Sequence, residues 1–344
     1  MSPPERRALS TMRREIEQQP EALAATYAAL QSPAAEVRRM IDARRTVMFL
    51  ARGTSRNAAV YGRYLMETVC AKPSAIGSPS MATLYDAALD LTDTVAIVIS
   101  QSGQTTELIE AAGWARRCGA ITVAVTNTAG SPLVGACDHT LATQAGAETA
   151  VPATKSFTAA LLTLAMVAGP QWGDELSSIG DHVDRLLRRL DGSAELDEAV
   201  ELLARARAVV CTGRGFTLAA ALEAALKLTE TTGTPCVALS SADLQHGPLA
   251  MHGPEVPLVA FAASSGPTLA GVAAIAQEAG RRRSPVVRIG GPTTPHLPSA
   301  DLREELSPIG LAVVAQVLAE ATGRARGADP DSPGGLTKVT QTAP

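Results

Sequence analysis

The sequence predicts an α/β protein with two parallel-sheet units in series, and three observations carry that prediction. At 344 residues the chain exceeds what one hydrophobic core usually organises and suits two. It is 46% hydrophobic but only 3% aromatic, so its cores rest on Ala, Val, Leu and Ile, as in helices packed on buried parallel strands. Short apolar runs alternate with helical runs of about ten to fifteen residues, the order of repeated βαβ units.

Taken in order, residues 1–43 form an N-terminal helical arm. It is charged, lacks the apolar stretch of a secretory leader, and starts a helix near Ser10. The first unit covers 44–180. In it TVMFLA (46–51) is a strand, glycine follows at Gly53, and 57–69 is a helix. A strand near AKPSAIG comes next, then the strand 95–100, a helix stopped at Gly119 behind Arg116 and Arg117, the strand ITVAVTN and a short strand near HTLAT. A connecting helical segment, 181–205, containing DHVDRLLRRL, leads to the second unit, 206–322. There ARAVVCTGRG holds a strand and a glycine turn, ALEAALKLTETTG is a helix closed by Gly233, and TPCVAL, VPLVAFAA and SPVVRIG are strands. Residues 323–344 are rich in Gly, Pro and polar residues and read as a flexible tail that carries one lysine, Lys338.

A formal net charge of −4 argues against a nucleic-acid partner, which would need a basic face. The run Arg281, Arg282, Arg283 reads as a solvated helix end. The apolar run SFTAALLTLAMVAG is too short to span a bilayer, so no membrane partner is expected. Cys70, Cys118, Cys137, Cys211 and Cys236 are scattered without a CxxC pair, which fits free thiols in a reducing cytoplasm. Histidines and carboxylates show no metal-ligand spacing; neither a metal nor an organic cofactor is expected.

The chemistry gathers where strands end. In a parallel sheet, ligands bind at the carboxyl ends of the strands, where loops lead into helix N-termini. SQSGQTTE sits at such a junction: Ser100, Ser102, Thr105 and Thr106 offer hydroxyls, Gly103 permits a tight turn, and the helix presents its positive end. The segment suits a phosphate dianion; an ordinary helix cap by Ser102 or Thr105 explains it equally well. ARGTSRNAA, with Thr54 and Ser55, supplies a second hydroxyl cluster at the end of the first strand. Neither loop has the spacing of a nucleotide-binding motif, and the isolated Gly213-Arg214-Gly215 carries little weight.

ARGTSRN, SQSGQTTE, ETAVPATKSFT, GRGFTLAAALEAALKLTE, ADLQHGPLAM and DPDSPGGLTK, in that order, resemble the SIS (sugar isomerase) family. The resemblance covers about 40–340 and points to the branch that holds the isomerase half of glucosamine-6-phosphate synthase and its deaminase-like relatives. It implies two SIS-type three-layer α/β/α subdomains, each with a parallel, flavodoxin-like sheet. It places the phosphate loop at Ser100, Gln101, Ser102 and Thr105, and a further phosphate contact at Gly53, Thr54 and Ser55. A sugar contact falls on Val151, with Arg52 as a possible addition, and the structural glutamate and lysine of the charged helix fall on Glu223 and Lys227. The proton-shuttling glutamate matches Glu230. The ring-opening histidine matches His246, which in the family reaches into the neighbouring subunit's site, so a homodimer is implied. The tail lysine that engages the open-chain sugar matches Lys338, and the tail is expected to close over the site.

The residue types suit this chemistry. Moving a proton between C1 and C2 of a sugar needs a carboxylate near both carbons and stabilisation of the enol. Glu223, Lys227 and Glu230 are spaced by four and three and share one helix face, which also fits a surface salt-bridge ladder. A histidine at 246 suits proton transfer to a ring oxygen, because an imidazole can both give and take a proton. Lys155 reads as structural. Several positions depart from the family: Arg52 replaces a cysteine, Ala153 a serine, Asp243 a glutamate, and Gly334-Gly335 an Arg-Asn pair. With no glutaminase domain and no cysteine after Met1, transfer of an amide nitrogen is not expected. The expected reaction is conversion of glucosamine 6-phosphate to fructose 6-phosphate and ammonia. The alternatives are a lyase that deprotonates C2 of an N-acetylhexosamine 6-phosphate and expels the C3 hydroxyl, a plain aldose–ketose isomerase, and a sugar-phosphate-binding regulator.

Overall fold

The computed structural model describes residues 9–292 and 297–339. The arm is a pair of helices, α1 (Thr11–Glu17) and α2 (Gln19–Asp42). Ser10 caps α1, its Oγ accepting from the Arg13 amide at 2.9 Å. The first eight residues of the predicted arm lie outside the described residues.

The first unit runs β1 (Thr46–Ala51), α3 (Gly53–Thr68), β2 (Ser74–Gly77), α4 (Ser80–Thr83), β3 (Thr94–Ile99), α5 (Thr106–Arg117), β4 (Ile121–Thr126), α6 (Pro132–Ala136), β5 (His139–Ala142) and α7 (Lys155–Ala168). Its sheet is parallel throughout, in the order β2-β1-β3-β4-β5, the flavodoxin-like arrangement. α8 (Gly173–Ser177), α9 (Ile179–Leu190) and α10 (Ala194–Ala204) lead across to the second unit. There β6 (Val209–Gly213), α11 (Leu218–Thr232), β7 (Cys236–Ser240), α12 (Ser241–Gln245), β8 (Leu258–Ala262), α13 (Leu269–Arg281), β9 (Val286–Gly290) and α14 (Ser307–Ala325) build a parallel sheet in the order β7-β6-β8-β9.

The strands form where β-branched and other apolar residues cluster: all six residues of β3, TVAIVI, are buried on both faces. The apolar run read against a membrane span is α7, buried along its whole length between α2 and α3. Among the described residues no helix is long and apolar enough to cross a membrane. α11 packs on α14 and on α3, so one continuous core links the units; Tyr61 of α3 meets Phe216 edge-on at 6.2 Å. α11 ends at Gly233, whose left-handed φ of +67° stops the helix.

Two expectations need correction. α3 starts at Gly53 rather than at 57, so the Thr54 and Ser55 hydroxyls belong to a helical first turn. The segment after α14 is coil, but it is tied down. Asp331 accepts from the Thr11 and Met12 amides at 2.8 and 2.7 Å, capping α1 from the other end of the chain, and its carbonyl accepts from the Val151 amide at 2.9 Å. Composition alone reads Gly and Pro as freedom; a carboxylate on a helix N-terminus supplies the anchor.

Candidate active site

The two hydroxyl loops face each other across the neighbouring strands β1 and β3. Gly53 at φ +52° and Gly103 at φ +61° make the turns, a backbone region that costs other residues about 1–2 kcal/mol. At Gly103 a side chain is also excluded by space, since a Cβ would stand 2.1 Å from Ser131 Oγ. Ser100 Oγ accepts from the Gly103 amide and Ser102 Oγ from the Gln104 amide, both at 3.2 Å, so the loop braces itself. Thr105 is the N-cap residue of α5 but makes no side-chain cap, which removes simple capping by Thr105 as the reason for its hydroxyl. A cleft of about 370 Å³ is lined by Arg52, Gly53, Thr54, Ser55, Ser100, Gln101, Ser102, Thr105, Val151, Lys227, Glu230 and Lys338. Of the residues expected to bind the phosphate, contact the sugar or carry the reaction, Glu223 and His246 do not line it.

Glu223 lies just behind the wall. It is fully buried, accepts from Asn57 Nδ2 at 2.8 Å and Thr54 Oγ1 at 3.3 Å, and stands 3.6 Å from Lys227 Nζ. Lys227, also buried, holds Glu230 at 2.5 Å, and the Glu230 side chain keeps 18% of its surface exposed toward the cleft. The three residues are therefore an interior chain of ion pairs rather than a surface ladder. Burial pushes the Glu223 carboxyl up, and Lys227, Asn57 and Thr54 only partly oppose it. For Lys227 burial alone would lower the ammonium, but Glu223 and Glu230 outweigh it and the net direction is up.

Lys338 reaches the cleft from the tail and is held at 2.9 Å by Glu148, whose side chain is fully buried. Glu148 also accepts from the Thr154 amide at 2.9 Å, the Ser156 amide at 3.0 Å and Ser156 Oγ at 2.7 Å. Burial raises the Glu148 carboxyl, but Lys338 and Ser156 more than compensate and hold it below the ordinary 4.5. The adjoining residues are pinned by the arm: Glu15 of α1 accepts from the Thr149 amide and from Thr149 Oγ1. Lys155 is buried and donates to Gln18 Oε1 at 2.7 Å, a structural placement. At the rim the Arg52 guanidinium grips Glu107 in a two-point pair, Nε to Oε2 at 2.9 Å and Nη2 to Oε1 at 2.6 Å. Behind Ala153 lies a void of about 30 Å³, room for a water or two.

His246 is exposed just after α12 and does not line this cleft. Sequence reasoning missed Glu148, Glu107, Asn57 and Asp331. Glu148 stood inside a quoted motif, ETAVPATKSFT, but nothing local pairs it with a lysine 190 residues away. Among the described residues no cluster of three or more His, Cys, Asp or Glu side chains could hold a metal ion.

The SIS domain profile matches residues 40–169 and 202–295, which between them hold both sheets. The glutamine–fructose-6-phosphate aminotransferase (isomerizing) of Pyrococcus horikoshii is 30% identical over 341 residues, covering 95% of this chain and 57% of that protein. The corresponding enzyme of Symbiobacterium thermophilum is 35% identical over 241 residues, 66% of this chain and 38% of its own length. The chain thus spans about half the length of the relatives it matches. The C-terminal domain of the glucosamine-fructose-6-phosphate aminotransferase of Francisella tularensis superposes with a TM-score of 0.85 at 25% identity, covering 96% of this chain and all (100%) of that one. The glucosamine-6-phosphate deaminase of Thermotoga maritima has the same fold, with a TM-score of 0.79 at 21% identity over 97% of this chain. Profile, sequence relatives and fold agree that this chain belongs to the SIS domain family.

Proposed function

We propose that the chain is an amino-sugar phosphate enzyme that converts glucosamine 6-phosphate and water to fructose 6-phosphate and ammonia. One observation supports this most: the two hydroxyl loops, the Glu230 carboxylate and the tail lysine Lys338 line a single cleft. The phosphoryl group binds to the hydroxyls of Thr54, Ser55, Ser102 and Thr105 and to the positive end of α5. That leaves the open-chain sugar extending toward α11. Glu230 removes the C2 proton of the aldehyde, giving an enolamine, and returns a proton to C1. C2 is then an imine, which water hydrolyses to the ketone with release of ammonia. Lys227 orients Glu230 from behind, and Lys338 stabilises the oxygen that gains charge at C1.

His246 opens the sugar ring from a second copy of the chain, since it does not reach the cleft of its own. Mixing His246→Ala chains with Glu230→Gln chains should then restore part of the activity; no restoration rejects the shared site. The reaction itself is tested by incubating the protein with glucosamine 6-phosphate and with its N-acetyl form, following ammonia, ketose and ultraviolet absorption. Ammonia and ketose from the free amine are the expected result. Absorption growing only with the N-acetyl form would replace this reaction with dehydration, and silence in every channel would reject both.

A further inference from the structure

The second sheet repeats the strand order of the first, with β6, β7, β8 and β9 in the places of β1, β2, β3 and β4. The loops at its carboxyl edge repeat as well. Arg52-Gly53 follows β1 and Arg214-Gly215 follows β6, both glycines left-handed, at φ +52° and +58°. After β3 the chain reads Ser-Gln-Ser-Gly-Gln-Thr (100–105) and enters α5; after β8 it reads Ala-Ser-Ser-Gly-Pro-Thr (263–268) and enters α13. Gly103 and Gly266 are both left-handed, and Thr105 and Thr268 are both N-cap residues that make no side-chain cap.

One charge is missing from the repeat. In the first unit Glu107, the second residue of α5, neutralises Arg52. The second residue of α13 is Ala270. Arg214 Nη1 lies 3.0 Å from the point where a Cβ on Gly271 would stand, so the guanidinium rests on the first turn of α13. It makes no ion pair among the described residues, whereas its counterpart does. A cation on the positive end of a helix is unfavourable alone and becomes favourable when an anion bridges the two. Ser241 marks the same place independently. Its residue is fully buried, its Oγ has no hydrogen-bond partner, and that Oγ lies 3.5 Å from the same point on Gly271. A buried hydroxyl left unpaired calls for a partner, and an anion oxygen held at this turn would supply one.

We propose that the carboxyl edge of the second sheet is a second anion site, suited to a phosphate monoester and built from Arg214, Ser241, Ser265, Thr268 and the first turn of α13. Glu304 gates it. Its carboxylate packs against Gly266 and accepts a hydrogen bond from Thr268 Oγ1, the hydroxyl that corresponds to Thr105. An entering phosphate displaces Glu304, which keeps the affinity of the second site below that of the first.

Calorimetric titration of the whole chain with inorganic phosphate, and separately with glucosamine 6-phosphate, tests this without reference to the reaction. Ser102→Ala/Thr105→Val disables the first loop. That variant should retain one phosphate-binding equivalent, weakened at least tenfold by Arg214→Ala and strengthened about tenfold by Glu304→Gln. Stronger binding of the sugar phosphate than of inorganic phosphate assigns the monoester as ligand; equal binding assigns the phosphoryl group alone. If Arg214→Ala does not fold by circular dichroism, Arg214→Gln takes its place. Absence of any binding to the folded first-loop variant carrying Glu304→Gln overturns the proposal. So does residual binding that is indifferent to Arg214.

Discussion

Replacing Glu148 tests whether the tail is built into the site. Its side chain is fully buried and accepts from Lys338 Nζ, Ser156 Oγ and the amides of Thr154 and Ser156, all between 2.7 and 3.0 Å. Glu148→Ala strands two backbone donors and an ammonium. Each unmet buried donor costs about 1–3 kcal/mol and loss of one member of a buried ion pair about 3–5 kcal/mol, terms that overlap rather than add. The Lys338 side chain is 22% exposed, so water recovers part of the charge term. The expected loss is about 4 kcal/mol for Glu148→Ala. Glu148→Gln should cost about half that, because its carbonyl keeps both amide bonds while its NH2 faces the lysine. In a cycle with Lys338→Met, the coupling should be about 1–2 kcal/mol. Urea midpoints at constant m give these differences. Limited proteolysis should cut Glu148→Gln in the tail first. A Glu148→Gln chain within about 0.5 kcal/mol of the parent, uncoupled from Lys338 and with an equally protected tail, would refute the reasoning.

The pH dependence follows from the same residue. The folded Glu148 carboxyl is held below its ordinary 4.5, so its contribution is complete above that value and is lost as pH falls through the folded one; Glu148→Gln should flatten the acid limb of stability. Lys227→Met leaves Glu223 buried without its cation and should cost about 3–5 kcal/mol in urea melts, with Glu223→Gln as a second change recovering part of it. Gly103→Ala combines a left-handed φ with a Cβ 2.1 Å from Ser131 Oγ and should weaken phosphate binding at least tenfold. Gly53→Ala, with open space around it, should cost only the backbone term of about 1 kcal/mol. Arg52→Ala removes a guanidinium from the rim of the phosphate loop; calorimetry should show weaker phosphate binding while stability changes by less than about 1 kcal/mol.

What the sequence made legible was local. Strands such as TVAIVI announce themselves by composition, and Gly233 stops α11 through a preference that needs no tertiary partner. The hydroxyl loops were readable because both sit at strand ends, where topology brings them together. Spacing placed Glu223, Lys227 and Glu230 on one face, but periodicity does not say what meets that face; Thr54 and Asn57 of α3 do, at Glu223. What stayed hidden depends on distant pairing. Asp331 caps a helix about 320 residues away, and Glu148 meets Lys338 across 190. The loop after β8 is not legible in the same way, because ASSGPT lacks the neighbours of SQSGQT and only the matching strand order brings the two into register.

Deuterium uptake from solvent is the most direct probe of Glu230. Glucosamine 6-phosphate incubated in heavy water should acquire deuterium from the wild-type chain, at C2 of recovered substrate or C1 of product, and Glu230→Gln should slow this by at least a hundredfold while still binding phosphate. Labelling that continues unabated in Glu230→Gln, or is absent from the wild type while the sugar is consumed, would contradict the account.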